Sequence, residues 1–179
     1  NVTAEDINES HLCTAFNDII GHWGHSAICY VIENGLFSGI SSSTFSPDDN
    51  MTRAMMWSIL YRLNGGKDIG EIWYEPARNW AIKCGISDGT NPSDDISREQ
   101  LVTILYRYSK YPSVSTAMEI HNTLKDFEDA NEISEWAEEA VSWAVSNNII
   151  TGKTSNTLAP QDKATRAETA AILMHYLTL

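Results

Sequence analysis

The sequence predicts an all-α protein: three helix–loop–helix repeats that form a pseudo-threefold, three-pronged bundle around one shared core. Three observations predict it. Six positions recur in register, beginning with Trp23, Trp73 and Trp136 themselves. An arginine, Arg53, Arg98 or Arg166, opens a second segment with an apolar stripe in each copy. Between the two segments of each copy lies a stretch dominated by Ser, Gly, Pro, Asn and Asp. At 179 residues, the chain is long enough to bury such a core without metals or disulfides.

The first helix of each repeat is read from its period. Ala27, Ala77 and Ala140 stand four residues after the anchoring tryptophan, and Tyr30, Trp80 and Trp143 stand seven after it, all on one helical face. Gly35, Gly85 and Asn148 follow as left-handed caps, each ahead of an apolar residue: Leu36, Ile86 or Ile149. The loops read "SGISSSTFSPDDN", "DGTNPSDDI" and "TGKTSNTLAPQDK". In the second helix, Ile59, Ile104 and Ile172 lie six residues past the arginine, with Leu60, Leu105 and Leu173 next to them. The tryptophan-to-arginine spacing is 30 residues in repeats one and three (23 to 53, 136 to 166) and 25 in repeat two (73 to 98). Repeat two is therefore read as lacking the counterparts of Thr44, Phe45 and Pro47 and of Thr157, Leu158 and Pro160. It also lacks the Phe-x-Asp that opens the others, Phe16 with Asp18 and Phe127 with Asp129. The repeats span 16–63, 69–108 and 127–176 of a single domain, 1–179. The latter part of the linker 109–125 is expected to hold a short helix.

Composition excludes several functions. With Lys+Arg 12 against Asp+Glu 24, the net charge is −12, which argues against nucleic acid and against an anionic bilayer as partners. No apolar run approaches the roughly 20 residues of a membrane span, so no membrane insertion is expected. The chain begins at Asn1 rather than Met and is read as a mature fragment or excised domain. Cys13, Cys29 and Cys84 are odd in number and match no metal spacing. They do not describe a disulfide framework, and the redox state of each stays open; unpaired thiols in a secreted protein would fit a reducing or anaerobic habitat. Asp48, Asp49, Asp94 and Asp95 lack the calcium-loop pattern, and His22 and His25 have no third ligand. No nucleophile with a base, phosphate loop, zinc motif or marked carboxylate pair is present, so no enzyme, metal or cofactor site is expected.

The arginines pose the sharpest question. "TRAM", "SREQ" and "TRAE" place Thr52, Ser97 and Thr165 as N-caps. Glu168 completes a capping box, which Met55 cannot do. An arginine in the first turn opposes the helix dipole, and it recurs three times in an acidic chain. Free N–H groups at a helix start, together with a guanidinium fork, would suit a carboxylate.

Phe-x-Asp, His-Trp, a glycine-punctuated loop ending in Phe-x-Pro, and Thr-Arg-Ala-Glu together resemble the S-layer homology family. Repeat one reads "FNDIIGHWGHSAICYVIENGLFSGISSSTFSPDDNMTRAM" and repeat three "FEDANEISEWAEEAVSWAVSNNIITGKTSNTLAPQDKATRAE". The likeness covers residues 16–176. It implies three tandem repeats that hold a larger surface protein or enzyme noncovalently to the bacterial cell wall, outside the cell. The implied partner is a secondary wall polysaccharide carrying pyruvate ketals, bound in grooves between the prongs. Arg53, Arg98 and Arg166 would be the carboxylate contacts. Ser38, Gly39, Asp88, Gly89, Thr151 and Gly152 would form the groove loops. Trp23, Trp73 and Trp136 are read first as core, with a second role as sugar platforms at the groove edge. Arg166, in the fullest motif, is expected to weigh most in binding and Arg98 least, with little effect of losing Arg166 on folding. The other reading is a protein–protein assembly module whose arginines meet acidic partners.

Overall fold

The apolar stripes fall on six α-helices: α1 His25–Glu33, α2 Arg53–Leu63, α3 Glu75–Lys83, α4 Arg98–Ser109, α5 Glu138–Ser146 and α6 Arg166–Leu177. The structure is a computed structural model and describes residues 12–67, 69–111, 120 and 124–179. Among these there is no β-strand, only three isolated bridges. The helix expected late in the linker falls mostly outside the described residues; a 3-10 turn, Leu124–Asp126, lies within them.

Each arginine helix packs against the first helix of the following repeat: α2 on α3, α4 on α5, and α6 back onto α1. Three backbone bonds tie the repeats together ahead of these helices. Met51 N–H donates to Ala164 O (2.8 Å), Ala164 N–H to Ile96 O (3.0 Å), and Ile96 N–H to Met51 O (2.9 Å). One apolar core joins all three repeats, with Phe45, Met51 and Trp57 from the first, Ile86, Ile96 and Leu101 from the second, and Trp143, Leu158 and Leu173 from the third. A single repeat cannot bury its own stripes, and this packing satisfies them collectively.

Helix ends follow local chemistry. Gly35 and Gly85 (φ 68°) and Asn148 (φ 54°) adopt the left-handed conformation. The next N–H in each copy reaches back five residues, from Leu36 to Val31 O, Ile86 to Ala81 O and Ile149 to Ala144 O, which is the Schellman closure. Thr52, Ser97 and Thr165 cap α2, α4 and α6; the box with Glu168 forms as expected, and Gln100 forms a second one.

Two expectations are corrected. The anchoring tryptophans do not belong to the first helices. Trp23 and Trp73 precede α1 and α3, and Trp136 lies in the 3-10 turn Glu135–Ala137. Tight turns wind the chain there, as in His25 N–H to His22 O and Glu75 N–H to Ile72 O. A tighter turn rotates each residue further than an α-helix does and carries the ring off the core stripe. The three indoles are accordingly 66%, 47% and 54% exposed, whereas Trp143 in α5 is core. The cysteines are not all free: Cys13 and Cys29 form a disulfide that ties the segment ahead of α1 to that helix. Only Cys84 is a free thiol.

The Phe-x-Asp motif pins the long loops. The Asp18 carboxylate accepts from the N–H groups of Phe45 (2.9 Å) and Ser46 (2.6 Å). Asp129 does the same for Leu158 (2.9 Å) and Ala159 (2.7 Å). At Asp18, burial favours protonation, but the N–H bonds from Phe45 and Ser46 and the Arg166 charge outweigh it and hold the carboxyl below its ordinary value. A depressed folded value contributes stability above the unfolded carboxylate range and loses it as pH falls through the folded value. Asp18→Asn is therefore expected to destabilise the protein at pH 7 and to flatten the fall in Tm between neutral pH and about pH 3. Parallel Tm–pH curves for the two proteins would contradict this role.

Candidate functional site

Arg53, Arg98 and Arg166 each occupy the first position of their helix, but the backbone there is not open to an anion. Their N–H groups donate to Asp94 O (3.0 Å), Asp162 O (2.9 Å) and Asp49 O (2.9 Å). The next N–H groups, of Ala54, Glu99 and Ala167, donate to Pro92, Pro160 and Pro47 carbonyls. The N-cap hydroxyls take the third. Each helix start is thus capped by the loop of another repeat, which corrects the expectation of free donors.

Pro92 also corrects the reading of repeat two. It stands six residues before its arginine, as Pro47 and Pro160 do, so the shortened loop keeps its proline. The residue ahead of each proline, Ser46, Asn91 or Ala159, has positive φ (58°, 51° and 51°). This shared turn presents the proline carbonyl to the neighbouring helix.

The guanidinium groups grip the same loops. Arg166 donates from Nε to Phe45 O (2.8 Å) and from Nη2 to Ser38 O (2.8 Å). Arg98 donates to Leu158 O (2.9 Å) and Thr151 O (3.3 Å). Arg53 donates from Nε to Thr90 O (2.9 Å), but its Nη2 meets the Asp88 carboxylate at 2.6 Å. Arg98 and Arg166 are each only 6% exposed. Burial pushes both guanidinium values down; Glu168, Asp162 and Asp129 act against this at Arg98, and Asp49 and Asp18 at Arg166. Both are buried cross-repeat clamps, a geometry that runs against the expectation that folding would hardly notice the loss of Arg166.

Three grooves that include a tryptophan open beside these clamps, and a further cavity of about 560 Å³, without one, adjoins Arg53, Asp88, Asp95 and Lys163. The first, about 540 Å³, is lined by Arg98 of repeat two, Thr151, Gly152, Lys153 and Glu168 of repeat three, and Trp23 of repeat one. The second, about 250 Å³, combines Arg166 with Ser38, Gly39 and Trp73. The third, about 240 Å³, combines Arg53 with Asp88 and Trp136. Gly89 abuts it by sequence and takes a left-handed φ of 69°. Gly39 and Gly152 are required by space: a Cβ on either would collide with loop carbonyls, Ser41 O and Thr44 O in one case and Thr154 O and Thr157 O in the other. The arginine, glycine-loop and tryptophan positions marked by the sequence thus converge, one of each per groove and each from a different repeat.

The grooves differ in their other residues. In the first, Lys153 Nζ bridges Asp162 (2.8 Å) and Glu168 (3.4 Å), and Arg98 Nη1 lies 3.7 Å from Glu168. In the second, Ile40 and Met55 stand where Lys153 and Glu168 stand in the first, beside Ser58, Ile59 and Arg62. In the third, Gln100, Thr103 and Arg107 complete the lining. Glu168, part of the fullest arginine motif, faces Arg98 and not Arg166, so motif completeness does not rank the grooves. Lys153 and Arg107 were missed by sequence reasoning; Lys153 directly follows the recurrent Gly152, a signal that could have marked it.

With this geometry, the likeness to known proteins can be placed. Residues 15–54 and 126–170 match the sequence profile of the S-layer homology domain. These two segments are similar to the S-layer homology domain. The two matched segments begin at the Phe-x-Asp motifs and reach into α2 and α6, so they contain the pinned loops and the arginines Arg53 and Arg166. Over 172 residues the chain is 33% identical to an amylopullulanase of Thermoanaerobacterium thermosulfurigenes, covering 88% of this chain and 9% of that protein. It is 29% identical to an S-layer protein of Bacillus thuringiensis subsp. finitimus (85% of this chain, 20% of that protein). It is 28% identical to a cellulosome-anchoring protein of Acetivibrio thermocellus (75% and 34%). The chain therefore spans a tenth to a third of the lengths of these relatives. Among the described residues, no helix is long and apolar enough to cross a membrane.

Proposed function

We propose that this chain is the noncatalytic anchoring module of a larger surface protein or enzyme, and that it holds its cargo to the outside of a bacterial cell wall by binding an acidic wall polysaccharide. The observation that carries this reading is the convergence of a cation, a tight glycine loop and an exposed indole in each groove from three separate repeats. An indole face offers an apolar platform to sugar C–H groups, and a guanidinium or ammonium beside it takes a carboxylate. A pyruvate ketal presents one carboxylate on a sugar ring, which fits that pairing. In an acidic chain such local cations are the way to hold an acidic polymer. The relatives support the anchoring role: enzymes and S-layer proteins of different kinds share only this segment with the chain.

The test is co-sedimentation with purified wall sacculi before and after the wall polysaccharide is stripped. Binding is expected only to the unstripped wall. Trp23 is largely exposed, so Trp23→Ala should leave Tm unchanged and weaken binding by about tenfold, equivalent to about 1.4 kcal/mol. Equal binding to stripped sacculi would replace this reading with protein–protein assembly.

A further inference from the structure

The loop position that meets the arginine is Ser38 in the second groove, Thr151 in the first and Asp88 in the third. In the first two the arginine Nη2 bonds to that residue's backbone carbonyl, whereas in the third it bonds to the Asp88 side chain. We infer that Asp88 closes the Arg53 groove to acidic ligands, so that the chain reads carboxylates in two grooves and not in three. This inference rests on the proposed wall-polymer binding.

Asp88 is held in place for this. Its carboxylate also accepts from Thr90 N–H (3.0 Å), a local turn that fixes it beside Arg53. That bond comes first among the causes holding the Asp88 carboxyl below its ordinary value; burial opposes it and the Arg53 charge reinforces it, so the group is ionised at neutral pH. A ligand carboxylate entering this groove would therefore exchange one carboxylate for another at Arg53 rather than add a pairing. The displaced Asp88 charge would remain nearby and repel the newcomer, a built-in element against that ligand class. The first groove contains an acid too, Glu168, but there Lys153 supplies a second cation in contact with it. The second groove is lined by two arginines and no acid. The third has a second cation too, Arg107, but there Asp88 sits on the clamp arginine itself. Only in the third does the chain's own carboxylate sit on the loop-facing amino group of the arginine.

The three exposed indoles report on the grooves separately: Trp23 on the first, Trp73 on the second and Trp136 on the third. The experiment is an NMR titration of the whole chain with a disaccharide wall fragment bearing a pyruvate ketal, following the indole N–H signals. In the unmodified protein, the Trp23 and Trp73 signals are expected to shift and the Trp136 signal to stay. In Asp88→Thr and Asp88→Ser, which install the residues of the other two loops, Trp136 is expected to shift as well. Calorimetry is then expected to count one more site, which Arg53→Lys in the Asp88→Thr background weakens. A Trp136 shift in the unmodified protein at the same midpoint as Trp23 overturns the inference even if neither variant folds. Binding at Trp23 or Trp73 with no gain in folded Asp88 variants overturns it and leaves the anchoring proposal standing. No indole shift in any protein overturns both.

Discussion

Arg166→Ala is expected to lower the unfolding free energy by about 3 kcal/mol or more, and Tm by roughly 6–12 °C for a chain of this length. The guanidinium donates to Phe45 O and Ser38 O across 121 and 128 residues of sequence. It also lies over the Phe45 ring (4.4 Å) and near that of Phe37 (5.4 Å). Truncation leaves the Phe45 carbonyl unpaired in the core and opens the joint between repeats one and three. Arg166→Lys should recover little, because an ammonium cannot reach both carbonyls with the geometry of a planar fork. Denaturant melts of both variants check this. A melt like that of the parent protein would show that the arginine serves a ligand and not the fold. For the same reason, ligand binding in these grooves is better probed by Trp23→Ala than by removing an arginine.

Removing the disulfide is the second large effect. Cys13 and Cys29 are 16 residues apart. Opening a loop of that size is expected to cost about 3 kcal/mol, chiefly by freeing the unfolded chain. Cys13→Ser with Cys29→Ser, and the parent protein under reductant, should lose stability by similar amounts. A thiol assay on the native protein should find one reactive group, Cys84, and three after reduction and unfolding. Three thiols in the native protein, or a Tm indifferent to reductant, would contradict the bridge. The bridge also replaces the idea of a reducing habitat, since structural disulfides persist in oxidising surroundings such as the cell exterior.

What the sequence disclosed was what local chemistry controls. The six helices, the left-handed caps at Gly35, Gly85 and Asn148, and the capping box at Thr165 depend on neighbours a few residues away, and the repeat brought helices and caps to view three times. The misreadings have different causes. The periodicity of Trp23, Trp73 and Trp136 resembled a core stripe because the turns that rotate them outward leave no mark at that spacing. Pro92 was hidden because the loop was aligned from its tryptophan end instead of its arginine end. The backbone groups at the arginines looked free because their acceptors, Asp49 O, Asp94 O and Asp162 O, lie in other repeats. Individual groove residues could be marked from the sequence, but their grouping could not, because each groove takes its arginine, loop and indole from different repeats.

The most direct measurement of the central claim is a crystal structure of the unmodified chain with the pyruvate-bearing wall disaccharide. The account predicts a sugar ring against Trp23 or Trp73, with its carboxylate about 3 Å from an Nη of Arg98 or Arg166 or from Lys153 Nζ. A disaccharide bound away from all three grooves, or crystals in which saturating disaccharide leaves every groove empty, would contradict it.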